Sequence, residues 1–600
     1  MRRFSALALA AALVVVGGAG ASHGIADSEV TEGSADGVML QNKQNEPTVA
    51  INPVAPTQIA GGANDNIDLE ACNLGDDTTC PFTAGVGVTG ISFLSSDGVT
   101  WNQPDYTGFS KRHCLGDPNS NTDTCDARTS STTPPGLIGT VPWYFENGLS
   151  SDGDPVLVFG PRPRPNGFSW ANGARLYYSN LTSNIFASRN EALKGFEGIG
   201  VSRTDNVPLA ATGGAAGKAA WMPPVIASKQ GGASFSDKEE MIADDAASSP
   251  FFGSVYVCYT AFGSVGGPPE PIEVSRSRDG GDTWATTKIS PSANTGTGQG
   301  RQGCNVKTDS GGVVYVTWRG GQFGDKEEPP IANRVVFLSR SFDGGVSFEK
   351  PRPIADIQEC GLFDPNQGRS SFDGAAGSRT SSFPILDIAN GAPNGFPQPH
   401  NDVLVLTWCD GPTTTTGFGD EALIQVSIDK GQTWSTPVDA APAGHRPDFP
   451  GVGISPDGTD VYFTYMNFLQ PWQTTTANPR LMNGVVRHAN LNPATGALGA
   501  FTTVHTGATG DARGSATNSL VAEFLGDYNY VAATKDFAYA VWNDVRNATN
   551  CPAIDTFRQK LLTGTTPNPT PEPQQDCPPK NGKVFGNSDI FGTRILDPTP

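Results

Sequence analysis

The chain is poor in several features on which protein classes depend. It has six histidines in 600 residues, and no two of them stand at the spacing of a zinc-binding pair. Long helical periodicities are missing, which argues against a helical domain. Charged residues make up only 17%, and basic charge is in deficit: 40 Lys and Arg against 60 Asp and Glu leave a formal net charge of −20. That balance speaks against nucleic acid and against anionic membrane surfaces as partners. Beyond the first residues no apolar run approaches the length of a membrane span, so no membrane insertion is expected.

What is present points to export and to short strands. Arg2 and Arg3 precede an apolar stretch from Leu7 to Val16, and Ala19-Gly20-Ala21 offers small residues for cleavage. This reads as a signal peptide over 1–21, with a mature, secreted chain from near Ser22. Ten cysteines form an even count, which in an exported chain favours disulfides over metal sites. Cys72/Cys80, Cys114/Cys125 and Cys551/Cys577 are near neighbours that would staple loops. Cys258 with Cys304 would join adjacent repeats and leave Cys360 to Cys409, although the connectivity stays open at this point. Gly 72 and Pro 48 fit many strands joined by turns.

One turn motif recurs through the chain. Ser277-Arg278-Asp279-Gly280-Gly281-Asp282-Thr283-Trp284 is its clearest form, and Ser341 to Phe348 and Ser427 to Trp434 keep its spacing. Ser95 to Trp101 is one residue shorter, and Ser202-Arg203-Thr204-Asp205 is split from its aromatic, Trp221, by a Gly/Ala-rich insertion. An Asp that accepts backbone N–H bonds and a Gly with its wider backbone freedom make a tight hairpin, and the aromatic then opens the next strand facing inward. Five copies at such intervals imply a repeat protein.

The motif resembles the Asp box, or bacterial neuraminidase repeat, of sialidases and related β-propellers, and the resemblance covers most of the mature chain. It implies an all-β fold, a single propeller of four-stranded blades; the modules along this chain number seven, or six, the number in the sialidases it resembles, if the second or sixth is an insertion. Modules of strands A to D can be written with the turn motif between C and D. The first uses Thr48–Ile51, Gln58–Ala63, Gly90–Leu94 and Trp101 onward, and the second Val156–Phe159, Arg175–Leu181, Phe196–Ser202 and Trp221–Ile226. In the sixth, Asn492 to Gly499 replaces the motif, and the seventh lacks a fourth strand, which an N-terminal segment such as Val38–Gln41 would supply. The propeller therefore spans 45–600, with 22–44 as a segment that closes the last blade. Insertions at about 102–147 and 550–580 lie outside the grammar, the second a Pro-rich stretch too polar to pack.

In such blades the A–B and C–D turns share one face, so A-strand starts and B-strand ends ring the mouth of the channel on the other. There the sequence places Glu46, Asp154, Lys238 with Glu239, Arg301, Arg379, Arg446 with Asp448, and Asp527 with Tyr528. Arginines among carboxylates suit an acidic sugar, because a guanidinium binds a carboxylate bidentately. They suit equally a set of residues that pair with one another and seal the channel.

Sialidases hold the substrate carboxylate with three arginines, use a Tyr nucleophile activated by Glu, and an Asp as acid/base. The resemblance implies Tyr528, Glu239 and Asp65 for these catalytic roles, and Arg301, Arg446 and Arg546 with Asp527 and Asp544 for substrate binding. The family's early Phe-Arg-Ile-Pro motif is missing, and Asn45-Glu46-Pro47-Thr48 puts a carboxylate where a cation is needed. No cofactor is expected; Asn64-Asp65-Asn66 and Asp244-Asp245 offer oxygens that would suit structural Ca²⁺ without predicting it. Two functions follow: an exported sialidase-like glycoside hydrolase acting on terminal acidic sugars, or a non-catalytic propeller binding glycan or protein through the same face. A third, a hydrolase of neutral polysaccharide, would draw on Asp154, Asp448 and Asp527. A monomer with a carbohydrate or glycoprotein ligand is expected.

Overall fold

The computed structural model describes residues 26–31, 43–68, 89–108, 136–184, 197–228, 235–263, 269–291, 300–321, 334–395, 402–411, 420–565 and 569–599. The signal segment, Val38–Gln41, Cys72/Cys80 and Cys114/Cys125 lie outside the described residues.

Seven antiparallel sheets follow one another along the chain, each of at least four strands. Blade 1 runs Gln44–Ile51, Ile59–Asp65, Thr89–Leu94 and Trp101–Asn102; blade 2 runs Leu149–Arg164, Gly167–Asn184, Gly198–Thr204 and Trp221–Ser228. Blades 3 to 5 begin at Phe235, Arg301 and Ile385. Blade 6 begins at Pro447 and draws its fourth strand from Thr502–Thr506, after a small hairpin between Asn492 and Ala497. Blade 7 pairs Tyr530–Ala533, Phe537–Asp544 and Asp589–Leu596, and its outermost strand is Ser28–Glu29. Closure by an N-terminal strand is thus observed, but through residues upstream of Val38. It leaves blade 7 no bare edge next to blade 1.

The inner strands read as continuous apolar runs because both faces of each blade are covered. In blade 3, Val255, Val257 and Tyr259 pack with blade 2, while Tyr256 and Cys258 pack with blade 4, all fully buried. Clusters of this kind join every neighbouring pair, including blade 7 to blade 1 through Val541, Ile590, Val49 and Trp101. The disulfide Cys258–Cys304 ties blades 3 and 4, and Cys360–Cys409 ties the loop after blade 4 to blade 5.

The insertion at 550–580 does not run as an extended loop. Pro552–Leu562 is a helix with Pro at its first turn; Ile554 and Phe557 are buried against Leu520 and Phe585, and Cys551–Cys577 closes it. Only part of the segment is Pro-rich and polar, and the helix finds its apolar partners in loops remote in sequence. Of 102–147, Tyr106–Gly108 pairs with Gly136–Ile138 and packs on blades 1 and 2. No helix among the described residues is long and apolar enough to cross a membrane.

Candidate functional site

The repeated turns share their wiring. In Ser277–Trp284 the Asp279 carboxylate accepts from the backbone N–H of Asp282 (3.1 Å) and Thr283 (2.9 Å), and the Ser277 hydroxyl accepts from Gly281 N (2.9 Å). Asp343 and Asp429 repeat this with Ser347 N and Thr433 N. The shorter turn uses Asp97 on Val99 N and Thr100 N, both 2.9 Å. Asp205 departs from the pattern: it is held by Arg175 (2.7 Å) and Arg162 (3.0 Å), and two short helices precede Trp221. These carboxylates serve their own backbone and neighbours, on the face away from the channel mouth.

At the mouth the innermost strands carry a repeated irregularity. Glu46 (φ 55°), Asp154 (φ 54°), Lys238 (φ 55°), Gly303 (φ 67°) and Phe449 (φ 46°) each sit in a register shift of the first ladder, in left-handed backbone. Such bulges redirect a side chain out of the sheet's alternation. Pro47, Pro155 and Pro450 follow three of them, where an interrupted ladder needs no N–H donor.

The redirected side chains meet on the channel axis. Lys238 Nζ lies 3.3 Å from Glu46, 3.7 Å from Asp154, and in ion-pair contact with Asp527. Arg379 grips Asp527 with two bonds of 2.7 and 2.6 Å and reaches Glu46 at 3.3 Å. Asn64 braces the cluster, donating to Glu46 (2.6 Å) and accepting from Asp154 N (2.8 Å). Burial alone would raise the Asp527 carboxyl, but Arg379 and Lys238 outweigh it and hold it below the usual range. Glu46 is pushed up to about 8, by burial and then by the charge of Asp154, so at neutral pH it keeps its proton and donates it toward Asp154.

Tyr528 and Glu239 belong to the same neighbourhood. Lys238 Nζ stands 5.0 Å over the Tyr528 ring, and the phenol hydroxyl, though buried, has no hydrogen-bond partner among the described residues. Neither Glu239 oxygen has one either. Burial, then the charges of Asp154 and Glu46, raises the Tyr528 phenol well above 10; burial and Asp154 raise Glu239 well above the carboxylate range. The hydroxyl–carboxylate bond of this region is made by Tyr530, two positions beyond Tyr528, to Glu240, one beyond Glu239.

The remaining expected residues do not join this cluster. Asp65 is fully buried and accepts from Gln44 (3.2 Å), Ile67 N (3.1 Å) and Gln103 (2.6 Å). Arg546 is bound to Asp544 (2.7 Å) and Asp27 (2.6 Å), and Asp544 also takes the Trp542 indole N–H at 3.1 Å. Arg301 meets Glu270 through its backbone N–H, while Arg446 bonds Asn467 and Gly444. The three arginines therefore have separate surroundings and share no partner among the described residues.

A different pair of arginines does converge. Arg369 starts the second strand of the hairpin Leu362–Asp364/Arg369–Ser371, which lies between blades 4 and 5. Ser371 pairs with Arg379, and Thr380 N bonds Ser370 O, so Arg369 and Arg379 stand diagonally on one face of that pairing. Arg369 makes no ion pair among the described residues; burial and the charge of Arg379 lower its pKa. Sequence reasoning placed Arg379 at the mouth but missed Arg369, which lies in a loop with no periodicity to mark it.

No protein-family model matches the chain, and no curated protein matches it. Among solved structures the chain is similar to an ulvan lyase, at 10% identity and a TM-score of 0.38 over 86% of this chain and 92% of that one. It is similar also to the endosialidase of phage phi92, at 9% identity and 0.37 over 96% and 69%. The sialidase of Trypanosoma rangeli gives 10% and 0.35 over 74% and 56%. Likenesses this distant carry no functional argument; the fold stands on the seven sheets themselves.

Proposed function

We propose that the protein is an exported, glycan-active propeller that takes a terminal acidic sugar at its channel mouth, along the Arg369–Arg379 edge. The observation that supports this most is Arg369 itself: a guanidinium beside another guanidinium, with no carboxylate in ion-pair reach among the described residues. A sugar carboxylate supplies the missing anion in the bidentate geometry that guanidinium favours. Three disulfides agree with an exported chain. Binding is supported further than turnover, because burial raises both the Tyr528 phenol and the Glu239 carboxyl and no hydrogen bond joins them as nucleophile and base.

Hydrolysis is the second reading, and the Glu46 carboxyl, raised to about 8 by burial and by the charge of Asp154, favours it. A neutral acid beside a carboxylate is the arrangement by which glycosidases protonate a leaving oxygen. In that reading Glu46 is the acid, Arg379 holds the substrate, and Tyr528 with Glu239 remains the candidate for attack.

The test is purified mature protein on a panel of sialosides, uronosides and neutral glycosides, read for both binding and product. Acidic glycans should bind, and Arg369→Ala should weaken them tenfold or more. Equal binding by wild type and Arg369→Ala, or a preference for neutral glycans, would sink the proposal. Product that disappears in both Glu46→Gln and Tyr528→Phe would promote the second reading over the first.

A further inference from the structure

A second set of unanswered polar groups lies in blade 2, away from the arginine edge. Strand register builds it. Ser150 on the innermost strand stands opposite Ser183 on the second, and Gly198 opposite Thr182 sets Glu197 beside Ser183 at the start of the third. Asp152, two residues on, sits in a register shift of the same ladder, and its carboxyl lies beside the Ser183 and Ser150 hydroxyls. Four oxygen-bearing side chains from three strands are thereby brought together.

Glu197 is fully buried, and neither of its carboxylate oxygens has a hydrogen-bond partner among the described residues. Asp152 Oδ2 has none among the described residues; burial raises the Asp152 carboxyl to about 7, and the Ser183 and Ser150 hydroxyls beside it offset that only in part. Several other buried carboxyl groups are answered by cations: Asp527 by Lys238 and Arg379, Glu523 by Arg480, Asp555 by Arg513; Glu239 shares with Glu197 the lack of one among the described residues. The charges acting on Glu197 are those of Asp152, Asp237 and Asp154, all carboxyl groups. A buried carboxylate of this kind is stable only with a cation or a proton.

We propose that Ser150, Asp152, Ser183 and Glu197 form a calcium site. The donor set is all oxygen, with neither nitrogen nor sulfur, which suits a hard cation and not zinc. Two carboxylates with two neutral hydroxyls leave places for backbone carbonyls and water in a sphere of about six to eight oxygens, the flexible geometry that calcium accepts and magnesium does not. The other cluster of donor atoms outside the disulfides, Asp460 with His488 and Asp597, has its histidine already bonded to Asp460 at 2.9 Å.

Mature protein treated with EGTA and then titrated with CaCl₂ tests this, by calorimetry and by thermal unfolding. The expected result is one calcium per chain and a rise of several degrees in the unfolding midpoint. Glu197→Gln should lose that rise while unfolding in EGTA at or above the wild-type midpoint, since it removes a buried charge; that stability separates lost binding from misfolding. Asp152→Asn should weaken the response at least tenfold in calcium concentration, and Asp460→Asn should keep it. No calcium bound by the wild type, an equal response to magnesium, a full response in Glu197→Gln, or loss of the response in Asp460→Asn overturns the site.

Discussion

The two faces of this propeller treat the same residue type in opposite ways. On the turn face, Asp279, Asp343 and Asp429 each accept bonds from residues three or four positions on, within their own hairpin. On the mouth face, Asp527, Asp154 and Glu46 come from different blades and meet cations brought from still others, with Asn64 also donating to Glu46. The first kind of carboxylate is local and complete when its turn forms. The second exists only once the ring has closed. Polar groups unmet among the described residues at Arg369, Glu239, Tyr528 and Glu197 lie on the mouth side, although the turn end has some as well, such as the Trp434 indole and the Tyr256 hydroxyl. A repeat thus keeps one face for structure and leaves the other for residues whose partners are not supplied by the repeat.

The sharpest way to break this contrast is Asp527→Asn, which leaves Lys238 and Arg379 buried without their shared carboxylate. Denaturant unfolding should show a loss of about 3–5 kcal/mol, as expected when one partner of a buried ion pair is removed. A loss under about 1 kcal/mol would mean that Glu46 and Asp154 release their proton and compensate, making the mouth as self-sufficient as the turns. Next in size, replacing Cys258 and Cys304 together by Ala should cost roughly 3–4 kcal/mol by the chain-entropy account. The sequence separation across that bond is 46 residues. An unchanged midpoint would show that packing between blades 3 and 4 needs no staple.

A single turn should matter less. Asp279→Ala removes the acceptor for two backbone N–H groups at a largely exposed position, and about 1–2 kcal/mol should be lost. A cost as large as that of Asp527→Asn would erase the distinction between local and assembled carboxylates.

The pH dependence should have opposite signs on the two faces. Burial alone would raise Asp343, but the hydrogen bonds from Ser347, Ser341 and Val346 together outweigh it and hold it down to about 2. Its contribution is present above the unfolded value near 3.8 and lost as pH falls through about 2. Glu46 is raised to about 8, so its contribution is full below its unfolded value near 4.5 and lost as pH rises through about 8. Unfolding midpoints from pH 2 to 9 should therefore lose their acid-side slope in part in Asp343→Asn and their alkaline-side slope in part in Glu46→Gln. The reverse assignment would contradict the ionisation described here. Smallest of all, Arg369→Ala should leave stability within about 0.5 kcal/mol, because it breaks no ion pair among the described residues.

Much of the fold was legible because it is written locally. Strand pairs such as Val255–Phe262 with Ile272–Ser277, the hairpins between third and fourth strands, and the disulfide Cys258–Cys304 follow from short-range pattern and from the period of the repeat. The identity of the strand that closes blade 7 was not legible, since Ser28–Glu29 is too short to carry a pattern and is chosen by the edge it covers. The helix Pro552–Leu562 escaped for a related reason: its few apolar residues make a face only against Leu520 and Phe585.

The sequence by itself determined the blades, their number and the face on which the repeated turns lie, because a strand's alternation and a turn's hydrogen bonds are settled within a few residues. The tertiary structure alone decided the mouth. Bulges at Glu46, Asp154 and Lys238 turn these side chains toward the channel axis, Arg379 arrives from the loop before blade 5, and Arg369 is set beside it by a pairing of Ser371 with Arg379. Their charges depend on distances between blades that no local stretch of chain encodes, and in a buried, low-dielectric place those distances decide which carboxyl keeps its proton and which cation is left for a ligand.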